Sequence, residues 1–240
     1  MKIAISGTYS SGKTRSVMAL SHYTGLPRTL ARAIREILPE ALPGKTLAEV
    51  TPAEFLQLMM RRHVGRAVHE GILGDSFLSD GSSLQEWLYG AARVRHGMNP
   101  TATAHLSEAA QTPGSAEMAY FAEVVEQFGN AFKQHVSQTF DAFVHLRHEL
   151  PITDDGHRPM NESFRTTIDE MLLSTLEELK IPVHIVGGAF PDRLDRIVEI
   201  FGLPTVMSVE EAIELANADY AQIDLRLETE RAKARTSVAA

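Results

Sequence analysis

Apolar and polar positions along the chain alternate between short apolar runs and longer stretches of helical period. Residues 2–6, 76–80, 142–146 and 182–188 are short, mostly apolar runs that read as strands, and 205–207 is a weaker fifth. Helical patterns fill the intervals. The first begins near Arg15 and stops at Thr24-Gly25-Leu26-Pro27, a glycine followed by a proline. Residues 29–38 are apolar at helical spacing, with Pro39, Pro43 and Gly44 as breakers. Thr51 then offers an N-cap, Pro52 a first helical position and Glu54 a first-turn carboxylate. That helix is expected to reach about Glu70, with Phe55, Leu58, Met59, Val64 and Val68 inside and Arg61-Arg62-His63 on a solvated face. Further helices are predicted over 84–95, 116–139, 162–179, 191–201 and 209–227. In the 116–139 pattern, Met118, Phe121, Val125, Phe128, Phe132 and Val136 form one stripe, read as core.

Strands alternating with helices predict an α/β fold, a mainly parallel five-stranded sheet covered on both faces. One domain over 1–227 is expected, with 97–114 as a loop or insertion, a polar loop at 150–161 and a disordered tail at 228–240. The 240 residues, 44% of them hydrophobic, suffice for one sizeable core. A net charge of −8 disfavours nucleic-acid binding. The absence of cysteine removes disulfides and thiol nucleophiles. The first strand starts at once and no apolar run is long enough to span a membrane, so a soluble, cytoplasmic protein is expected.

One stretch carries explicit chemistry. Gly7-Thr8-Tyr9-Ser10-Ser11-Gly12-Lys13-Thr14 is G-x-x-x-x-G-K-T, a phosphate-binding loop, set between a predicted strand and a predicted helix as the motif requires. Glycines at both ends permit a backbone nest whose N–H groups face phosphate, and the helix N-terminus adds its dipole. Gly7, Ser10, Ser11, Gly12, Lys13, Thr14 and Arg15 are the nucleotide-binding candidates. Lys13 is placed for the β- and γ-phosphates, and the Thr14 hydroxyl for Mg²⁺. This predicts a P-loop NTPase three-layer sandwich.

In parallel sheets ligands gather beyond the carboxyl ends of strands. Asp80 ends the second predicted strand, as a metal contact, a base, or simply the cap of the next helix. Residues 151–165, following the third, carry Asp154, Asp155, Arg158 and Arg165: either a lid whose arginines close on a triphosphate, or a solvated loop. Gly187 and Gly188, following the fourth, form a turn near Arg193, either an approach to a nucleobase or an ordinary connection. Histidines show no metal-ligand spacing, and His145, His148 and His157 read as structural or incidental. Trp87 and Tyr89 fit an acceptor pocket or plain core.

Taken together, Gly7 to Thr14, residues 30–38, Asp80, Asp155-Gly156-His157-Arg158, Gly187-Gly188 and Arg193 resemble the small P-loop kinase-like ATPases that include the ribosylnicotinamide kinase domain of the bacterial NAD regulator. The resemblance covers about residues 1–203. Thr29 stands where that family tends to carry glutamate, and Gly81 where arginine commonly follows the aspartate. The resemblance implies a kinase that moves a phosphoryl group from ATP, with Mg²⁺, to a hydroxyl of a nucleoside-like or sugar-like small molecule. Lys13, Asp80, Arg158 and Arg165 would then be catalytic, Thr14 and Asp80 would hold the metal, and Gly187 and Arg193 would face the nucleotide. The alternative is an ATPase switch or nucleotide sensor acting on a protein partner. No N-K-x-D guanine motif is present. The partners expected are a small-molecule acceptor and, left open, a second copy of the chain; nucleic acid and membrane are not expected.

Overall fold

The computed structural model describes residues 1–29, 32–105, 115–149, 151–152 and 158–223. The expectations for 224–227, the tail at 228–240, residues 106–114 and the lid residues Asp154, Asp155, Gly156 and His157 lie outside the described residues.

Four strands form one parallel sheet: β1 (Lys2–Ser6), β2 (Phe77–Asp80), β3 (Ala142–Leu146) and β4 (Val183–Val186), in spatial order β2-β1-β3-β4. The helices are α1 (Lys13–Thr24), α2 (Ile34–Ala41), α3 (Pro52–Leu73), α4 (Ser83–His96), α5 (Ala116–Thr139), α6 (Glu162–Glu178), α7 (Phe190–Phe201) and α8 (Val209–Ala221). Side chains alternate across a strand, so β1 feeds two cores. Ile3 and Ile5 meet Leu78, Val144 and Val186 under α1, α7 and α8. Ala4 faces the other way, with Phe77 and Phe143, toward α4 and α6. A third cluster joins α2, α3 and α5 through Leu38, Phe55, Leu58, Phe121 and Phe132.

Several expectations are corrected. Among the described residues the sheet has four strands, not five. Residues 205–207 instead follow Pro204, and the Val206 N–H donates to Tyr23 O at 2.9 Å, which ties the segment to the end of α1. The helix expected at 29–38 begins later and runs through Pro39. Glu36 Oε2 accepts the Ala33 N–H at 2.5 Å and fixes the start. Val64 and Val68 lie outside, 50% and 55% exposed. The inner phase of α3 runs instead through Phe55, Met59, Arg66 and Glu70. The reading of Arg61-Arg62-His63 as a solvated face fails at Arg62, whose side chain is only 14% exposed against Glu86.

The stripe on α5 is buried as expected, with Phe128 at its edge. Opposite it, Trp87 of α4 lies so close to Gly129 that a Cβ there would come within 2.5 Å of the indole nitrogen. Lys133 Nζ sits 4.9 Å over the same indole.

Candidate nucleotide and acceptor site

The register of the strands brings the candidate residues together. Ile5 pairs with Asp80 and Ser6 with His145, so the carboxyl ends of β1, β2 and β3 open beside the loop 7–12. That loop turns tightly. Gly7 has φ 143°, and a Cβ on it would meet Ser11 Oγ at 2.6 Å and Leu146 O at 3.0 Å. Gly12 caps α1 in the left-handed region. Within the loop, Ser11 donates to Thr8 O at 2.9 Å.

Thr14 Oγ1 donates to Asp80 Oδ2 at 2.6 Å. The other oxygen, Asp80 Oδ1, is buried with no hydrogen-bond partner among the described residues. A hydroxyl and a carboxylate oxygen converging with spare acceptor capacity suit a hard cation such as Mg²⁺, which takes few protein ligands and completes its shell with water and phosphate. The described residues contain no group of three or more His, Cys, Asp or Glu placed to hold a metal. Burial pushes the Lys13 ammonium below its ordinary value, Asp80 opposes this, and Arg62 and Arg158 add to it.

Three arginines from different segments hold the loop. Arg158 Nη1 lies 3.3 Å from Ser10 Oγ. Arg165, buried in the first turn of α6, donates from Nε to Thr8 Oγ1 at 3.3 Å. Arg193 donates to Ser11 O and Gly188 O, both at 2.9 Å. The structure thus gathers Lys13, Thr14, Asp80, Arg158, Arg165 and Arg193 at one place.

Arg15 and Gly187 lie differently. Arg15 donates to Asn217 Oδ1 on α8 and stacks 5.3 Å from the centre of the Phe190 ring. At Gly187, a Cβ would fall 2.3 Å from Glu149 Oε1, and the Gly188 N–H donates to Glu149 Oε2 at 2.9 Å. A carboxylate therefore lies against the glycine turn.

Gly81 has a local cause. With φ +75°, it abuts Gln85 Oε1, which accepts the Ser82 N–H at 3.1 Å while Gln85 Nε2 donates to Gly7 O at 2.8 Å. No side chain fits there without displacing that amide. Thr29 Oγ1 accepts the Asp80 N–H at 3.2 Å, fixing the end of β2.

Some residues near the site escape sequence reading. Arg62 Nη2 donates to Glu86 at 2.6 Å, and Arg66 reaches Glu86 Oε1 and Gly81 O, both at 3.3 Å. Glu70 takes His135 at 2.7 Å. This buried ion-pair network backs Asp80, and only the helical phase of α3 would have pointed inward to it. Tyr9 stacks on Tyr89 at 5.3 Å and on Phe164 at 6.2 Å, so Tyr89 is core behind the loop. His148 Nδ1 meets Asp169 at 2.5 Å, and His145 Nδ1 lies 3.2 Å from Ser6 Oγ.

A cleft of about 250 Å³ opens beside Thr14 and Asp80. Its walls include Val17, Arg28, Thr29, Arg32, Glu36 and Asp219. Arg28 is paired with Asp219 at 3.1 Å and Arg32 with Glu40 at 2.7 Å. Both arginines of the cleft wall are thus paired, while the Glu36 and Asp80 carboxylates have no ion-pair partner among the described residues.

Comparison with known proteins agrees with this geometry. The solved structure titled as the NadR protein in complex with NAD and AMP-PNP matches at a TM-score of 0.54 and 16% identity, over 86% of this chain and 51% of that one. The chain thus spans about half the length of that NadR chain, and the likeness is one of fold. No curated protein matches in sequence. A family model described as AAA domain matches residues 2–193, which runs from β1 to Arg193 and takes in the loop, Asp80 and the three arginines. The chain belongs to this AAA-domain family, with a P-loop nucleotide-binding fold of the kind found in NadR.

Proposed function

We propose that the chain transfers the γ-phosphoryl group of ATP to a hydroxyl of a small molecule, nucleoside-like or sugar-like. The observation that carries this reading is the Thr14–Asp80 pair, with its buried, unpartnered Asp80 Oδ1, at the mouth of a small-molecule cleft. A hydrolytic switch needs the phosphate loop and a cation site but no cleft beside them. The AMP-PNP named in the NadR structure favours ATP as the donor.

In this reading the loop amides and Lys13 hold the β- and γ-phosphates. Thr14 and Asp80 would hold Mg²⁺, which would supply positive charge to offset that of the phosphates. The acceptor lies in the cleft with its hydroxyl toward Asp80. The hydroxyl oxygen forms a bond to the γ-phosphorus, and the bond from that phosphorus to the β–γ bridging oxygen breaks with its electron pair leaving on ADP. Asp80 Oδ1 orients the acceptor hydroxyl or takes its proton. Arg158 and Arg165, which reach Ser10 and Thr8 of the loop, would offset charge on the equatorial oxygens, and positioning plus electrostatics account for catalysis. Arg193 holds the loop carbonyl of Ser11 and so positions rather than reacts.

The test is ADP release from Mg·ATP, with and without a panel of nucleosides, sugars and amino-alcohols, with product masses read in parallel. A gain of one phosphate on one compound class is expected. Lys13→Ala should abolish turnover, and Asp80→Asn should lower it with ATP binding retained. Full activity in either variant, or slow hydrolysis unchanged across the panel, would overturn the proposal; the latter outcome would favour the switch.

A further inference from the structure

A second cleft, also of about 250 Å³, shares no lining residue with the one at Thr14 and Asp80. It lies between the C-terminal end of α4, residues 98–101 and residues 158–160. Residues 98–101 open the stretch that reads in the sequence as a loop or insertion, and the site already described gives them no task. They are nonetheless fastened. The Met160 N–H donates to Thr101 Oγ1 at 3.0 Å, Asn161 Nδ2 donates to Pro100 O at 2.8 Å, and the Thr103 hydroxyl donates to His96 O at 2.6 Å. Walls pinned in this way suit a preformed ligand pocket.

Arg93 of α4 lines this cleft and is only 3% exposed. Its guanidinium carbon stands 4.3 Å from the centre of the Phe55 ring and 5.4 Å from that of Phe164. Nε donates to Met98 O at 3.3 Å and Nη1 to Tyr89 O at 2.9 Å. Nη2 has no hydrogen-bond partner, and the guanidinium no ion pair, among the described residues. The other arginines of comparable burial are each met by a carboxylate: Arg66 by Glu86 at 3.3 Å, Arg165 by Glu162 at 3.6 Å and Arg193 by Glu149 at 3.7 Å. Arg93 is the exception. Burial lowers its pKa, and the groups that oppose this are the Tyr9 and Tyr89 hydroxyls, which burial itself keeps protonated and neutral. The C-terminal end of α4 offers about half a negative charge. A buried cation without a counter-charge is costly, and charged side chains are rarely buried unpaired.

The lining shows what would complete it. It contains no carboxylate. Asn99 Oδ1 accepts the Ala102 N–H at 3.3 Å, while its Nδ2 makes no hydrogen bond among the described residues and remains as a donor. Leu47, Ala48, Met98, Pro100, Pro159 and Met160 make the rest of the wall mostly apolar. One uncompensated charge calls for one negative charge, and a planar carboxylate matches the open edge of a guanidinium. A phosphate dianion would bring more oxygens than these donors serve and would leave the apolar wall uncovered.

We infer that this cleft is a binding site for a small monocarboxylate, with the carboxylate on Arg93 Nη2 and Asn99 Nδ2 and a compact apolar body against Met98, Pro159 and Met160. Arg158 lines the same cleft and reaches Ser10 of the phosphate loop, so the two sites share one residue. The inference does not depend on the phosphotransfer reading, since it rests on Arg93 and on a cleft that the reading leaves unused.

Titration calorimetry of the full chain with phenylacetate tests it, with circular dichroism confirming the fold of each variant. Phenylacetate is expected to bind with a dissociation constant of about 1 mM or less. Phenylacetamide, of the same shape without the charge, should bind at least about tenfold more weakly. Arg93→Lys keeps a charge but loses the flat edge between two rings, and should weaken binding roughly tenfold. Ala48→Trp narrows the cleft from an exposed position and should weaken it by roughly as much, which holds the test open should Arg93→Lys fail to fold. Inorganic phosphate at constant ionic strength should not displace the acid. No binding of phenylacetate up to about 10 mM, equal binding of acid and amide, or binding unchanged in both variants would overturn the inference. Displacement by phosphate would place the acid on the phosphate loop and overturn it as well.

Discussion

Gly81→Ala tests how the end of β2 is joined to the phosphate loop. A Cβ at position 81 falls 1.7 Å from Gln85 Oε1. That atom ends a flexible side chain, but Gln85 is buried and committed at both ends, accepting from Ser82 N–H and donating to Gly7 O. Admitting the methyl group requires the amide to leave both partners. Two neutral hydrogen bonds at about 1 kcal/mol each give a loss of about 2 kcal/mol. The left-handed backbone, φ +75°, adds about 1 kcal/mol for alanine, making about 3 kcal/mol in all. Gln85→Ala alone loses the same two bonds, about 2 kcal/mol, with Gly81 undisturbed. The double variant loses the bonds once and carries the strain once, so it should cost about 3 kcal/mol rather than the additive sum of about 5 kcal/mol. The coupling of about 2 kcal/mol corresponds to about 4–8 °C in Tm for a chain of this size. Urea and thermal denaturation followed by circular dichroism measure all four corners of the cycle. A double variant that falls at the sum of the single variants would show that Gly81 and Gln85 act separately, and the account of why position 81 lacks a side chain would fail.

Three further outcomes are expected. Burial holds Lys13 below its ordinary value of 10.5, whereas bound triphosphate favours the ammonium, so nucleotide affinity should be full below the lowered value and fall as pH rises through it. Titration calorimetry at increasing pH should show this decline, and Lys13→Met should bind weakly with no such slope. Arg193→Met removes donors to Ser11 O and Gly188 O and should lower Tm by roughly 5–10 °C while weakening nucleotide binding. Arg193→Lys should restore little, because one ammonium does not span both carbonyls, and full rescue by lysine would refute the two-carbonyl role. Burial lowers both His63 and His145, so each stays neutral in the fold while the unfolded chain takes up protons. Their contribution is fully present above pH 6.5 and is lost as pH falls below it, so scanning calorimetry from pH 7 to about 5 should show a shallower fall in Tm for His63→Asn/His145→Asn than for wild type.

What the sequence disclosed follows from the range of the forces involved. The loop 7–14, the N-cap at Thr51 and the stop at Gly25 depend on neighbouring residues, and each was legible. Asp80 was found because strand ends are ligand sites in parallel sheets, but its contact with Thr14 crosses 66 positions and only the sheet register makes it. The helical phase of α3 was misjudged because Val64 and Val68 look like core, while Arg66 and Glu70 look like surface. The network with Glu86 and His135 reverses both assignments. A charged side chain goes inside only when its partner comes from elsewhere in the chain, and no local window contains that partner. The fifth strand failed for a similar reason: three apolar residues suffice for a β pattern, but Pro204 and the bond from Val206 to Tyr23 direct the segment to α1. The turn at Gly187 is open in the sequence between an approach to a nucleobase and an ordinary connection, and the contact with Glu149, 38 positions earlier, is one no local window contains.

The seat of Trp87 has an optical consequence. It is the sole tryptophan of the chain, pressed against the bare backbone of Gly129 and capped by the Lys133 ammonium. It also lies two residues beyond Gln85, whose amide grips the first glycine of the phosphate loop. Intrinsic emission at one wavelength therefore reports one place, the joint between α4 and α5. A displacement of α4 against α5 changes the distance from indole to ammonium, so the protein carries an unlabelled fluorophore that reports on that joint.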